Sequence, residues 1–165
     1  MTPLARLIAG IIAQEGPISL ARYMALCLGH PAHGYYMTRD PFGRGGDFTT
    51  APEISQMFGE MLGVWTLSVW DAMGRPPRVA LVELGPGRGT LMADVLRSAR
   101  ALPGFLDAAG VHLVEISPAL RATQERALAP LGIPVSWHRD PGDVPGGPAI
   151  ILANEFFDAL PVRQF

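Results

Sequence analysis

The stretch that decides the fold is VALVELGPGRGT, which spans residues 79–90. It begins with a continuous apolar run, 79–82, which is typical of a strand buried on both faces of a parallel sheet. A glycine turn follows over 85–89, and a helix is predicted from Thr90 to about Arg100. A turn that carries the chain from a first strand into a helix is where open parallel sheets bind their ligands.

The same alternation of strand and helix continues downstream. Further strands are predicted at 111–116, 134–137 and 149–153, with a helix at 118–129 between the first two of them. Strands that alternate with helices imply right-handed crossovers and a parallel sheet with helices on both faces. We therefore predict an α/β domain, and we place it at residues 75–165.

The residues before this domain have a different sequence pattern. Apolar positions at helical spacing and capping residues predict helices over 1–13, after Ser19 and from Ile54 to Val69, with an irregular stretch at 30–52. We expect residues 1–74 to form a helical N-terminal segment. Of its other residues, Cys27 and the tryptophans Trp65 and Trp70 are predicted to pack in the core, and His30 and His33 to shape a turn rather than bind a metal.

Composition excludes several classes of protein. The chain has 165 residues, a formal net charge of −2 and 13 basic residues, all of them arginine, so a P-loop lysine and a lysine Schiff base are excluded. A single cysteine excludes a disulfide framework and a multi-cysteine zinc site. The near-neutral charge gives no reason to expect a nucleic-acid partner. Without a convincing targeting segment or membrane span, we expect a soluble cytoplasmic protein with no bound metal.

The spacing of glycines and acids in the turn discriminates between ligands. The glycines fall at positions 85, 87 and 89, whereas a dinucleotide fingerprint would require one at position 90, which is a threonine. Glu83 precedes the first glycine, and Glu115 ends the next predicted strand, where a carboxylate can accept both hydroxyls of a ribose. An acid at position 83 suits a cationic amino-acid end better than a pyrophosphate. This combination favours S-adenosylmethionine over NAD, although glycines are also common in turns for steric reasons alone.

The motifs of the chain resemble those of a known family. Residues 83–89 and Glu115 are similar to the first two motifs of class I methyltransferases. The segments GYY at 34–36, GDFTTAPEIS at 46–55, FGE at 58–60 and NEFFDALP at 154–161 resemble the MidA family of methyltransferases. The likeness covers nearly the whole chain, and the motifs come in the family's order.

This resemblance implies a class I methyltransferase with a Rossmann-like parallel sheet, of which the chain holds the first four strands. It implies S-adenosyl-L-methionine as cofactor, bound by Glu83, Gly85, Gly87, Gly89 and Glu115. The loop of Asp47, Phe48, Thr49 and Thr50 is expected to cover the cofactor, although Pro52 and Glu53 could simply begin a helix there. The mitochondrial member of the family methylates an arginine of a respiratory complex I subunit and is needed for assembly of the complex, so a similar protein substrate is implied.

Acceptor binding is assigned to the end of the fourth strand. A carboxylate matches the guanidinium fork of an arginine, so Glu155, with Asn154 and Asp158, is predicted to position the substrate. The alternative is that Asn154 and Asp158 only shape a turn. Because class I sheets have more strands than four, the resemblance implies an N-terminal part of a longer protein that is inactive alone. An NAD(P)-binding oxidoreductase domain and a non-catalytic binding fragment remain the alternative functions.

Overall fold

The computed structural model describes residues 1–38 and 46–165, and these form two compact units. Among the described residues, one unit holds 1–38 and 155–165, and the other holds 46–154. In the described part of the chain, no helix is both long enough and apolar enough to cross a membrane.

The first unit consists of three helices and the C-terminal residues. Helix α1 spans Pro3–Glu15, α2 spans Leu20–Gly29 and α3 spans Tyr35–Thr38. The predicted caps are confirmed: the Thr2 hydroxyl accepts from the N–H of Ala5 at 3.1 Å, and the Ser19 hydroxyl accepts from the N–H of Arg22 at 3.2 Å. A 3₁₀ turn at Phe157–Ala159 follows in the C-terminal residues.

The second unit contains the sheet and the helices that cover it. In chain order its elements are α4 (Ala51–Ile54), α5 (Gln56–Ala72), β1 (Val79–Leu84), α6 (Thr90–Ala99), α7 (Phe105–Ala108), β2 (Ala109–Val114), α8 (Pro118–Leu128), β3 (Val135–His138) and β4 (Ala149–Leu152). Two 3₁₀ turns, at Ala129–Leu131 and Pro141–Asp143, flank β3.

The four strands form one parallel sheet in the order β3-β2-β1-β4. Strand β1 is central, and Glu83 pairs in register with Leu113 of β2 and Leu152 of β4. The residues of β1 that alternate onto the same face as Leu81 are buried, and Leu81 packs in the core with side chains from α5, α6 and α8. Because all strands run in one direction, the residues that follow β1, β2 and β4 meet at one edge of the sheet.

Helices α5 and α6 approach each other closely at two glycines. A Cβ built on Gly59 would lie 2.5 Å from the Cβ of Asp94, and one on Gly63 would lie 2.7 Å from the Cβ of Ser98. These glycines are one helical turn apart and both are buried. Because this contact joins α5 to the helix after β1, α5 lies in the same compact unit as the sheet, although its sequence pattern predicts it as part of the helical segment 1–74.

The predicted α/β class with four parallel strands is confirmed, and the strand boundaries shift by one or two residues. Strand β2 begins two residues earlier than predicted, because Ala109 and Gly110 pair with β1 despite their small side chains. Glu115 therefore follows β2 instead of ending it, and its N–H donates to the carbonyl of His138 at 2.9 Å.

Two side chains that the sequence predicts to pack in the core are less buried than expected. Trp70 is buried as expected, but Trp65 is 49% exposed on α5, where the next residue, Thr66, is buried instead. Cys27 is only half-buried, in a groove between α1 and α2. His30 and His33 stack with their ring centroids 5.2 Å apart, and the Nδ1 of His30 accepts from the N–H of Ala32, which fits the predicted turn.

Candidate functional site

The glycine turn joins β1 to α6 through three residues that need positive φ. Gly85, Gly87 and Gly89 have φ values of 61°, 52° and 83°. The N–H of Gly85 donates to Val114 at the end of β2, and the N–H of Gly89 closes the turn on Pro86 at 2.7 Å. The turn thus takes a left-handed path that side chains disfavour, and it leaves backbone groups accessible at the edge of the sheet.

Glu83 is a buried carboxyl directly before this turn. Its side chain is 3% exposed, and its Oε2 has no hydrogen-bond partner among the described residues. Burial raises the pKa of Glu83 to about 8, against the opposing effect of a hydrogen bond from the backbone of Met92 in α6. The carboxyl is therefore mostly protonated at neutral pH, and a cation that reaches it would favour its ionised form.

Glu115 lies at the adjacent corner of the same edge. Its Oε1 accepts from the N–H of Ser117 at 2.7 Å, and its Oε2 accepts from the side-chain amide of Gln124 at 3.1 Å. Burial raises the pKa of Glu115, and these hydrogen bonds partly oppose that effect. The backbone of Ile116 also donates to this carboxylate. A carboxylate has about four acceptor positions, so the group retains capacity for a ligand hydroxyl.

Gln124 is a residue of the site that sequence reasoning missed. Its amide nitrogen also donates to the carbonyl of Gly87 at 2.8 Å, and its amide oxygen accepts from the indole of Trp137 at 2.9 Å. The side chain is fully buried. A signal for it exists in the sequence, because Leu120, Gln124 and Leu128 form one buried stripe of α8 and only the middle residue is polar.

The segment before α5 contacts the turn through Glu53. The carboxylate of Glu53 accepts from the hydroxyl of Thr90 at 2.6 Å, and its other oxygen lies 3.9 Å from Arg88. Pro52 and Glu53 lie in a short helix, α4, as the alternative interpretation of this stretch expects.

The predicted covering loop leads into this helix. Of its four residues, three are exposed and Thr50, which precedes α4, is half-buried (Asp47, Phe48, Thr49, Thr50). Their contact with a cofactor stays a prediction. Gly43 and Gly45, which lie within the same sequence segment, fall outside the described residues.

The end of β4 brings Asn154 to the same edge. Asn154 is half-buried and lines a cleft of about 350 Å³ between α5, α6 and β4. The other residues that line it are mostly apolar (Phe58, Leu62, Trp65, Leu91, Ile151, Leu152, Ala153). The cleft therefore gives Asn154 an apolar surrounding at the end of β4.

Glu155 and Asp158 belong to the first unit. Glu155 is exposed and adopts a φ of 47°, one of two non-glycine residues with positive φ in the described part of the chain. Strained backbone of this kind is often retained at functional positions. Asp158 is exposed, and its charge adds to burial in raising the pKa of Tyr36. The assignment of these acids to substrate binding stays a prediction.

The site fits a ligand with a cationic end and a ribose. The unpartnered oxygen of Glu83 is suited to a cation, Glu115 retains acceptor capacity for a hydroxyl, and the glycine turn between them has no side chains at three positions. S-adenosyl-L-methionine has both groups. Among the described residues, no cluster of three or more His, Cys, Asp or Glu is arranged to hold a metal ion.

Comparisons with known proteins agree with this chemistry. Residues 61–165 match the family described as "Putative S-adenosyl-L-methionine-dependent methyltransferase". The chain is 48% identical to protein arginine methyltransferase NDUFAF7, mitochondrial, of Mus musculus and 46% identical to that of Homo sapiens, with 100% of this chain aligned to each. It covers 43% of the mouse protein and 42% of the human one, so it spans less than half the length of these curated relatives.

A solved structure supports the same fold. The crystal structure of a COG1565 superfamily member from Burkholderia thailandensis bound to S-adenosyl-homocysteine superposes with a TM-score of 0.77 at 33% identity. The superposition covers 96% of this chain and 41% of that one.

Proposed function

We propose that this chain, which belongs to the family of S-adenosyl-L-methionine-dependent methyltransferases, carries the cofactor-binding half of a protein arginine methyltransferase. The observation that supports the proposal most directly is the arrangement at the sheet edge, where Glu83 and Glu115 flank a turn of three positive-φ glycines. S-adenosyl-L-methionine explains the presence of both acids, because it has a cationic amino-acid end and a ribose. An NAD(P)-binding oxidoreductase accounts for neither the family match nor the glycine spacing.

In this proposal the two acids, the glycines of the turn and the loop have different roles in binding the cofactor. The cofactor supplies a methyl group on a positively charged sulfur. Glu115 accepts the ribose hydroxyls, and Glu83 faces the positive charge of the amino-acid end, which it meets as a carboxylate after it releases its proton. The glycines at 85, 87 and 89 let the backbone approach the ligand closely. The loop at 47–50 covers the site and keeps water from the reacting groups.

The acceptor is proposed to be an arginine of a protein substrate. Asn154 lies at the carboxyl end of β4, and Glu155 and Asp158 follow it in sequence. A carboxylate holds a guanidinium through two parallel hydrogen bonds, which would aim one nitrogen at the methyl group. Methyl transfer requires no covalent intermediate with the protein, so positioning is the main contribution of these residues.

Substrate, partner and location are part of the same proposal. By resemblance to the family, the substrate is a subunit of respiratory complex I, and the protein acts in assembly of that complex. The location is cytoplasmic if the source is bacterial and mitochondrial if it is eukaryotic. The relatives from mouse and human are mitochondrial protein arginine methyltransferases by name, which supports a protein substrate.

Two measurements test the proposal. Calorimetric titration of the chain with S-adenosyl-homocysteine and, separately, with NADH should show binding of the first ligand only. Transfer of labelled methyl to complex I subunits should require residues beyond this chain, so a full-length relative should label an arginine and residues 1–165 should not. Binding of NADH alone would overturn the cofactor assignment, and binding of S-adenosyl-homocysteine without any methylation by the full-length protein would favour a non-catalytic binding function.

A further inference from the structure

We propose that Gln124 is a positioning residue, which holds the carboxylate of Glu115 and the backbone of the glycine turn in the arrangement that receives the cofactor. This inference rests on the proposed function, because it concerns the same site. Gln124 lies in the middle of α8, away from the glycine motif in sequence, and it contacts both halves of the candidate site at once.

The hydrogen bonds of Gln124 allow only one orientation of its amide. The indole nitrogen of Trp137 is only a donor, so the amide oxygen of Gln124 must face it, at 2.9 Å. The amide nitrogen must then face the carbonyl of Gly87 and the carboxylate of Glu115, which are both acceptors, at 2.8 Å and 3.1 Å. Both N–H groups and the oxygen are thus used, and no other rotation of the amide satisfies all three partners.

Two groups of α8, the backbone at its N-cap and a side chain in its middle, hold the carboxylate of Glu115. One oxygen is held by the N–H of Ser117, and the other is held by Gln124. With both bonds in place, the plane of the carboxylate is set before any ligand arrives. Without Gln124 only backbone donors would hold the carboxylate, so its orientation would be less restricted when a ribose binds.

The position of α8 beside the turn makes this contact possible. A Cβ built on Gly89 would lie 3.4 Å from the Cα of Gln124, so helix and turn are in direct contact at this point. A leucine at position 124 would continue the apolar stripe of Leu120 and Leu128, but it would remove a hydrogen-bond partner from three half-buried polar groups. A glutamate would set a second negative charge beside Glu115. A neutral amide donor is therefore the side chain that the site requires.

The first test measures Glu115 in the ligand-free chain. Titration of ¹³C-labelled glutamate carboxyls by NMR gives the pKa of Glu115 in the unmodified chain and in Gln124→Met, which keeps the volume and removes the hydrogen bonds. Because the amide of Gln124 favours the charged form, the pKa of Glu115 should rise in the variant. An unchanged pKa would overturn the proposal, whether or not the chain binds a cofactor, so this result is independent of the proposed function.

The second test is a double-mutant cycle on the dissociation constant of S-adenosyl-homocysteine. Gln124→Met should weaken binding about tenfold in the unmodified chain, as expected for loss of a hydrogen bond to a charged group, and less than about twofold when Glu115 is already alanine. If Gln124 were merely structural, its substitution would weaken binding by the same factor in both backgrounds, and that outcome would overturn the proposal. Failure of the unmodified chain to bind the ligand would contradict the proposed function instead.

Two tryptophan variants keep the test decisive if Gln124→Met fails to fold. Trp137→Phe removes only the donor that orients the amide, so it should weaken S-adenosyl-homocysteine binding in the same direction by a smaller factor. Trp70→Phe is the matched control, because it removes an indole hydrogen bond to Pro76, which is not part of the Gln124 contacts. Equal affinity in the two tryptophan variants would contradict a positioning role for Gln124.

Discussion

The carboxylate of Glu53 accepts a hydrogen bond of 2.6 Å from the hydroxyl of Thr90, although 37 positions separate the two residues. Thr90 begins the helix that follows the glycine turn, and Glu53 lies in the short helix that follows the predicted covering loop. This bond ties the segment before α5 to the start of α6. It also gives the sequence motif around residues 46–55 a contact with the turn.

Removal of this bond should lower stability and leave the fold intact. Thr90→Val keeps the shape of the side chain and removes the donor, so the free energy of unfolding should fall by about 1.5–3 kcal/mol, as for a hydrogen bond to a charged group. Urea denaturation measures it. Thr90→Ser retains the hydroxyl and should restore most of the loss, whereas equal losses in the two variants would show that the methyl group of Thr90 matters instead.

Gly87→Val should abolish binding of S-adenosyl-homocysteine, because a β-branched side chain disfavours a φ of 52° and would enter the space beside the turn. The matched control is Gly132→Val. Gly132 has a φ of 69°, and a Cβ there would meet open space. Both variants should lose stability, on the order of 1–2 kcal/mol from the backbone. Calorimetry should show lost binding for Gly87→Val only, and loss in both would assign the effect to stability.

Glu83 should make the stability of the ligand-free chain fall as pH rises. The unfolded carboxyl releases its proton near its ordinary pKa of 4.5, whereas the folded one holds its proton until about 8. Between these values the folded state binds the additional proton, so the free energy of unfolding decreases by up to about 1.4 kcal/mol per pH unit. Glu83→Gln mimics the protonated acid and should flatten this dependence in urea titrations at pH 5, 6, 7 and 8. Parallel curves for the two proteins would mean that Glu83 titrates normally.

Two glycine-to-alanine changes in helices should have opposite signs. Gly63→Ala places a methyl 2.7 Å from the Cβ of Ser98 and 3.1 Å from the Cα of Val95, and overpacking of this kind costs about 1–3 kcal/mol. Gly10→Ala in α1 has no atom within 4 Å, so the better helix propensity of alanine should stabilise the chain by about 0.5–1 kcal/mol. Thermal unfolding distinguishes the two. A stabilised Gly63→Ala would show that α5 can move away from α6.

Local patterns predicted the elements that position the site. The apolar run of β1 and the glycines after it appear in consecutive residues, and Glu115 could be placed because it follows the next apolar run directly. The contacts that organise the site join distant residues, and periodicity carries no information about them. The bonds from Gln124 to Gly87 and from Thr90 to Glu53 both link positions 37 apart, so only the folded chain reveals them.

The same patterns could not predict the orientation of Trp65 either, for a different reason. Helix α5 has apolar residues on more than one face, among them Met57, Met61 and Trp65, all largely exposed. The glycines at 59 and 63 decide which face turns toward α6, because only they allow the close approach. Small residues, and not large apolar ones, therefore determine which face of α5 is buried.

The register of β1 limits how this sequence can change over evolutionary time. Strand β1 is paired on both sides, and Glu83 lies on the same face as Leu81 only because the alternation between them is uninterrupted. An inserted or deleted codon in this strand would turn the carboxyl to the opposite face and displace the glycines from their places by one position. Descendants of this gene can therefore accept substitutions among the apolar residues of 79–82, but every lineage that keeps the site must keep the length of this stretch.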